Sequence, residues 1–238
     1  MNTHIPISSN PNNWWQKARI LYLNNLISKF SSTRNLNILE IGPGFGLNIT
    51  TLSNYGKVDV VEVEKIFRQE IKNKYGKFIK DVYENIYSID NKKYDLIVLL
   101  DVLEHIKDDE LIKFIERVDN LLCKNGIVII SVPAYQSLFS QKDLDVGHYR
   151  RYSWKLLNEH IGKNFKIIYK FGFNYLLLIV RFFEIKLLKN PKKDLETSPL
   201  LNTLLYSVLL FEYVLYRLNI KTKFGISFFA VLKQTNSE

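Results

Sequence analysis

The sequence predicts an α/β protein: a mostly parallel sheet of seven short strands with helices on both faces. Three observations carry this. Apolar runs of strand length alternate with helix-length segments along the chain. The central runs are apolar throughout, as in strands covered on both faces. The first run ends in a cluster of glycines, the mark of a tight turn. With 238 residues and an apolar fraction of 47%, one domain with an insertion is the natural organisation.

The elements follow in order. A helix is expected to start near Asn13 and to carry Trp14, Trp15, Ala18, Leu21, Leu23 and Leu26 into the body. Asn37–Ile41 reads as the first strand, Lys57–Glu62 as the second and Phe78–Lys80 as a short third. Tyr94–Leu100 is the strongly apolar fourth, and a helix is expected over Asp109–Cys123. Gly126–Val132 is the fifth strand, followed by a polar, aromatic loop over Pro133–Tyr152. Ser153 is a suitable N-cap for the next helix. Phe165–Tyr169 reads as the sixth strand and Ser227–Leu232 as the last. Between them lie two apolar helices, 174–189 and 200–219, an insertion before the final strand. The single domain thus divides into a helical cap (1–35), a core with its polar loop (36–172), the apolar insertion (173–223) and the final strand (224–234).

Charge is uneven. The net +9 resides almost wholly in residues 142–238, which hold 16 Lys and Arg against 8 Asp and Glu. Nucleic acid, an anionic membrane face, an anionic substrate or a compositional bias toward Lys each fit that excess. Cys123 is the single cysteine, so no disulfide forms within the chain. The four histidines show no metal-ligand spacing with it, and no metal is expected. The N-terminal residues lack the basic start and apolar core of a signal peptide. The longest charge-free apolar stretch, Thr197–Phe211, is shorter than the roughly 20 residues of a spanning helix. A cytoplasmic location, with peripheral membrane attachment as an option, is therefore expected.

The sharpest motif is Glu40-Ile-Gly42-Pro-Gly44-Phe-Gly46, directly after the first strand. Glycines there let the backbone turn tightly and approach a ligand, at the strand end where parallel sheets bind theirs. A dinucleotide site requires Gly-x-Gly-x-x-Gly. Here the third glycine comes one residue early and position 47 is Leu, so a nicotinamide oxidoreductase is the weakest option.

Glu-x-Gly-x-Gly-x-Gly resembles motif I of the class I S-adenosylmethionine-dependent methyltransferases, which implies a Rossmann-like fold and that donor, with S-adenosylhomocysteine as product. Glu40, Gly42, Gly44 and Gly46 then form the donor loop. Glu62, at the end of the second strand, is placed to accept both ribose hydroxyl protons, with Glu64 as a substitute. Asp81 and Val82 follow the third strand, where the family meets adenine. Leu100-Asp101-Val102-Leu103-Glu104-His105 resembles the family segment after the fourth strand, and its histidine is read as structural. Trp14-Trp15-x-x-x-Arg19 resembles an N-terminal aromatic and basic segment of one subgroup, although Gln16 stands where an aromatic is usual; Trp15, Arg19 and Asp101 are carried over as donor contacts. Pro133–Gln136, Gly147-His-Tyr-Arg-Arg-Tyr152, Pro199–Asn202, Glu212 and Gly225–Phe228 extend the resemblance over nearly the full length. Members of that subgroup often accompany enzymes of polysaccharide and lipid-linked glycan synthesis.

The resemblance implies methyl transfer to a small-molecule or lipid-linked glycan acceptor, at oxygen. The donor carries its own activation, so the protein mainly aligns the reactants, and a hydroxyl acceptor also needs a base. An imidazole, which ordinarily titrates near about 6.5, suits that task; His148 is the candidate, with a hydrogen-bonded lock on its loop as the alternative. Asp143 or Asp145 would hold its tautomer. Arg150 and Arg151 suit an acceptor oxyanion, or would pair with Glu40 or the donor carboxylate, or one of the two forms a purely structural salt bridge. Tyr152, with Tyr135 and Tyr149, would line the acceptor pocket or pack. The Gly147–Tyr152 segment is expected to close over both substrates. Two other readings are weighed: a nucleic-acid methyltransferase, disfavoured because Asp101-Val-Leu-Glu replaces the Pro-Pro-aromatic motif of base N-methyltransferases, and a non-catalytic donor-binding protein.

The apolar tail has three readings: ordinary core, a dimer interface, or a membrane contact with Lys189, Lys192 and Lys193 near anionic headgroups. Leu201, Leu205, Val208, Glu212 and Leu215 form the expected inward stripe of its second helix. A buried Glu212 needs a partner, and Arg181 is the expected one.

Overall fold

The computed structural model describes residues 10–31, 35–187 and 198–235, with the side chains of 185–187 excepted. In chain order its elements are α1 (Trp14–Phe30), β1 (Leu36–Ile41), α2 (Ile49–Ser53), β2 (Gly56–Val61), α3 (Lys65–Tyr75), β3 (Ile79–Tyr83), β4 (Tyr94–Leu100), α4 (Asp108–Leu121), β5 (Leu122–Pro133), α5 (Gln141–Asp145), α6 (Trp154–Ile161), β6 (Phe165–Phe173), α7 (Leu178–Leu187), α8 (Pro199–Arg217) and β7 (Ser227–Gln234). The strands form one seven-stranded sheet in the order β3-β2-β1-β4-β5-β7-β6. β7 runs antiparallel to both its neighbours, and the other pairings are parallel.

Strand alternation divides the core into two layers. Leu39 and Ile41 of β1, Ile97 and Leu99 of β4, and Val128 and Ile130 of β5 face α4 and α6. Ile38, Leu96, Val98, Ile127 and Ile129 face the other way, toward α1, α2 and α8. Each central strand thus buries apolar residues on both faces, which explains its largely apolar run. α1 starts where Asn13 accepts from the Trp15 N–H, a cap worth about 1 kcal/mol. α6 starts the same way at Ser153, which accepts from Leu156 N. Tyr22 on α1 anchors the second layer, with its ring 5.0–5.4 Å from those of Phe171, Phe173, Tyr213 and Tyr216.

Several boundaries differ from expectation. A 3₁₀ turn at Gly76–Phe78 occupies the expected start of the third strand, so β3 is displaced to 79–83. β5 begins four residues early because Leu122 already pairs with Tyr94. β6 continues to Phe173, since antiparallel pairing with β7 runs its whole length. α7 starts at 178, after backbone hydrogen bonding of Asn174 and Leu176 to another helix.

That helix is α8, and here two expectations fail. The buried positions are Leu209, Glu212 and Tyr216, whereas Leu201 lies on the exposed side. Arg181 does not pair with Glu212: it reaches Glu184 at 2.7 Å. Glu212 instead accepts the backbone N–H groups of Asn174 (2.6 Å) and Leu176 (3.2 Å), which fixes the turn between β6 and α7. The carboxylate partners backbone because that turn leaves two N–H groups with no sheet or helix acceptor. α8 is also longer than the charge-free stretch suggests. It is 19 residues long and holds an 18-residue stretch of mean hydropathy 1.3, enough by length and composition to cross a membrane, of which 17% is buried. Lys189, Lys192 and Lys193 lie outside the described residues.

Burial raises the Glu212 carboxyl to about 7, against the lowering effect of its N–H donors. Between about pH 4.5 and 7 the folded chain keeps a proton that the unfolded chain has released. Stability from this group is therefore full below about 4.5 and falls as pH rises through 7, by on the order of 3 kcal/mol. Urea unfolding of Glu212→Gln at pH 5 and pH 8 should show a shallower pH dependence than the wild-type chain; an unchanged slope would contradict the buried, protonating carboxyl.

Candidate active site

The sheet order reverses between β1 and β4, so their following segments diverge and open a crevice at the strand ends. The glycine loop lines one side. Gly42, Gly44 and Gly46 have φ of +66°, +55° and +75°, a region costly for residues with a Cβ. A Cβ at Gly42 would lie 2.9 Å from Val102 Cγ2, and one at Gly46 would lie 2.8 Å from Ile49 Cδ1. Both conformation and space require glycine at these two positions.

Around this loop the polar groups are buried and linked. Gln16 Nε2 donates to Asn48 Oδ1, and Asn48 Nδ2 donates to Glu40 Oε1, both at 2.8 Å. Glu40 Oε2 is buried with no hydrogen-bond partner. Burial raises this carboxyl to about 7, opposed by Asn48 and by nearby Arg19. Gln16 thus accounts for its own presence on an apolar helix face: an aromatic there would leave Asn48 without its acceptor bond. Gln16 was noted in the sequence only as a departure from the usual aromatic, and Asn48 was not singled out; the amide on an apolar helix face is the signal that marks the pair.

Glu62 is buried, as expected for its site at the end of β2. Its Oε2 accepts the Gly44 N–H at 3.0 Å and its Oε1 the Glu64 N–H at 2.9 Å. Burial pushes its carboxyl upward, and these two donors oppose the shift. Each oxygen retains a lone pair for a ligand hydroxyl. Glu64 supplies a backbone donor to Glu62 and the N-cap of α3, and no other contact to the loop is observed among the described residues. Arg19 reaches Asp101 at 2.5 Å, and Ser131 Oγ donates to the other oxygen of Asp101 at 2.9 Å. Asp101 itself holds a positive φ of 57°. Trp15 is half-buried, its ring 4.8 Å from that of Phe173.

Asp81 requires a correction. It and Val82 lie inside β3, not after it, and the Asp81 carboxylate is paired with Lys92 at 2.6 Å. Lys92 also bridges to Asp59. The displaced start of β3 causes this, and it leaves Tyr83 at the strand end, where its carbonyl accepts the Glu62 N–H.

The polar loop is organised by Asp143. Its Oδ1 receives His148 Nδ1 at 2.9 Å and Arg151 Nε at 2.8 Å, while its Oδ2 receives the Ser140 N–H at 2.9 Å. Burial acts to raise this carboxyl, but the His148 and Arg151 bonds outweigh it and hold it at about 2. With Nδ1 engaged by a carboxylate, His148 Nε2 is the free acceptor of the ring. It lies 3.9 Å from Glu104 Oε1. Glu104 is fully buried, and neither of its oxygens has a hydrogen-bond partner. Burial drives its carboxyl well above the usual range, with Asp101 adding to the effect. The His105 ring stands edge-on to that of His148, 4.7 Å between centroids. Atoms of Glu104, His105 and His148 suited to metal ligation lie within 4.8 Å of one another, a grouping that linear spacing did not reveal. His105 occupies a single 3₁₀ turn, Leu103–His105, rather than a long helix.

Three catalytic candidates change character. Arg151 is buried and spent on Asp143 and the Ala134 carbonyl. Arg150 is buried, donating to the Leu103 carbonyl and to Asp108 at 2.9 Å. Neither pairs with Glu40. Tyr152 is fully buried, and its hydroxyl donates to Leu103 O at 3.2 Å, so it packs rather than lining a pocket. These side chains fasten the loop to the turn after β4, because charged groups so deep need partners. Asp145 serves Gln141 rather than His148. Tyr135 lines a cavity of about 260 Å³ with Ser137, Leu138, Leu178, Ile179 and Phe182. A larger polar cavity of about 670 Å³ includes Tyr149, Arg150, Asp108 and His160.

Comparison with known proteins agrees with this architecture. A family model for a methyltransferase domain matches residues 15–169. The chain is 28% identical over 140 residues to a ubiquinone biosynthesis O-methyltransferase of Rickettsia canadensis (strain McKiel), covering 50% of this chain and 57% of that protein. It is 29% identical over 126 residues to N-terminal Xaa-Pro-Lys N-methyltransferase 1 of Xenopus tropicalis, covering 48% and 55%. The chain therefore spans about half the length of these curated relatives. The structure superposes on that of an S-adenosylmethionine-dependent methyltransferase from Archaeoglobus fulgidus with a TM-score of 0.59 and 17% identity, covering 91% and 93% of the two chains.

Removal of the Asp143 side chain strands Arg151 without its partner, and such losses cost about 3–5 kcal/mol. Asp143→Ala should lower the denaturation midpoint accordingly. A midpoint within experimental scatter of the wild-type value would show that Asp143 does not organise the loop.

Proposed function

The chain belongs to the methyltransferase-domain family, and on that premise we propose that it transfers a methyl group from S-adenosylmethionine to a hydroxyl of a small-molecule or lipid-linked glycan acceptor. The observation that carries this reading is the arrangement at the diverging strand ends: a glycine loop, an underused Glu62 and an unpartnered Glu40 oxygen on one side, and an Asp143-oriented His148 on the other.

The residues present fit this donor. The unpartnered Glu40 Oε2 suits an ammonium group, and Arg19 suits a carboxylate. The spare lone pairs of Glu62 suit two ribose hydroxyls, and Val82, beside Tyr83 at the end of β3, is the remaining candidate near adenine. When bound, the donor supplies a methyl group already activated on a sulfonium. The chain then has to position the acceptor, exclude water and take a proton. Asp143 fixes His148 with Nε2 outward from the pair, which makes that nitrogen the proton acceptor. The buried Glu104, favouring its neutral acid, leaves His148 without a competing negative charge on that side. Oxygen as the methylated atom is supported by the likeness to the O-methyltransferase over half the chain, while the likeness to an N-methyltransferase supports nitrogen to a similar extent. The histidine base favours oxygen, because an amine nucleophile reacts once it is neutral and needs less help from a base.

Two substitutions separate the roles. Glu62→Gln should weaken S-adenosylhomocysteine binding by about tenfold to a hundredfold, since charge-assisted hydrogen bonds contribute about 1.5–3 kcal/mol. Calorimetric titration reads this directly, and unchanged affinity would remove Glu62 from the donor site. His148→Ala should leave donor affinity intact and reduce turnover about 10²- to 10⁴-fold. Full turnover in that variant would leave His148 as the lock of its loop alone.

A further inference from the structure

We propose that the outer faces of α7 and α8 dock on an anionic lipid bilayer. Along α8 the outward side chains are Leu200, Leu204, Phe211, Val214 and Leu218, with Leu204 61% and Phe211 58% exposed. α7 adds Ile179, Val180, Phe182 and Phe183. Soluble monomers seldom expose so many large apolar side chains on two helices.

Charge identifies what covers them. Among the described residues 198–224, the exposed charged side chains are all cationic: Arg217, Lys221 and Lys223. The one acid in that span, Glu212, is buried and bonded inward to Asn174 and Leu176. On α7 the acid Glu184 is paired with Arg181, so the charge left over beside the apolar face is cationic, which matches acyl chains beneath anionic headgroups. A second copy of the chain would bring the same cationic border and no complementary charge.

α8 lies in the interface and does not cross it, because it is fixed along its length to α1. Asn202 Oδ1 accepts the Trp14 N–H at 2.9 Å near one end, Leu209 is buried at the middle, and the Tyr216 hydroxyl donates to Asn25 Oδ1 at 3.1 Å near the other. Only its outer face is available to lipid. The cavity of about 260 Å³ shares Ile179 and Phe182 with this face and Tyr135 with the polar loop. Docking would therefore set an apolar cavity between the lipid and the loop that bears His148. That last link rests on the methyl-transfer reading above; the docking itself does not.

The test is co-sedimentation of the full chain with vesicles of phosphatidylcholine alone, and of phosphatidylcholine with phosphatidylglycerol, at low and high salt. The wild-type chain should sediment with the anionic vesicles at low salt and less at high salt. Lys221→Gln/Lys223→Gln should bind them about thirtyfold more weakly, given about 1 kcal/mol for each of the two cations near the surface. Leu204→Ser/Phe211→Ser should lose about tenfold or more from its lost apolar area. Thermal melts and S-adenosylhomocysteine titration run alongside, and both should be unaltered in the two variants. No sedimentation at low salt would overturn the proposal, as would undiminished binding by Leu204→Ser/Phe211→Ser. A dimer that dissociates in that variant, with no vesicle binding by the wild-type chain, would assign the face to a second copy instead. Vesicle binding without donor binding would leave the docking surface standing and remove methyl transfer.

Discussion

The reversal of strand order between β1 and β4 is the constraint on which the rest of the molecule depends. Both strands are covered on both faces, so the chain can expose backbone to a ligand only at their ends. There the polypeptide leaves β1 toward α2 and leaves β4 toward the Leu103–His105 turn. Four acidic side chains gather at that fork, three of them buried. Glu40 and Glu62 hold one side of it, Asp101 and Glu104 the other, and Arg19 from α1 bridges across. Such a concentration of buried carboxyls would be unfavourable in a core that served only packing.

Asp143 links this fork to the polar loop. One carboxylate holds a histidine, an arginine and the start of a short helix, and the loop's two arginines are consumed in fastening it. The loop is thereby fastened at several points to the turn after β4 and to the start of α5. Of the two readings of Arg150 and Arg151, this favours the structural salt bridge over the acceptor anion, and it leaves His148 Nε2 and the exposed Tyr149 as the groups of the Gly-His-x-Arg-Arg-Tyr segment not consumed in fastening the loop. Positioning comes from groups that touch nothing reactive, as is usual where a side chain must be held within a fraction of an ångström.

The sequence made much of this legible, and the failures have physical reasons. The β4 strand was read to its exact bounds because five consecutive apolar residues, Leu96–Leu100, lie between a Tyr-Asp start and Asp101. Glu62 and the glycines were readable because a strand end followed by a turn has few chemical solutions. The short third strand was misplaced because its 79–83 segment is half-buried and mixed in polarity, and Asp81 was misassigned with it. Arg151 and Tyr152 were left open between facing a substrate and packing, because the choice depends on contacts to Asp143 and to the Leu103 carbonyl that spacing does not display. Glu212 was rightly read as buried, but a carboxylate can be satisfied by backbone as well as by arginine, and sequence does not display which N–H groups a turn leaves open.

The most direct test of the central claim is a crystal grown or soaked with S-adenosylhomocysteine and a nicotinamide dinucleotide together. The structure predicts density for S-adenosylhomocysteine alone, with its ribose hydroxyls on Glu62 and its amino acid portion between Glu40 and Arg19. A dinucleotide on the Gly42–Gly46 loop, or density for neither ligand in a crevice open to solvent, would contradict it.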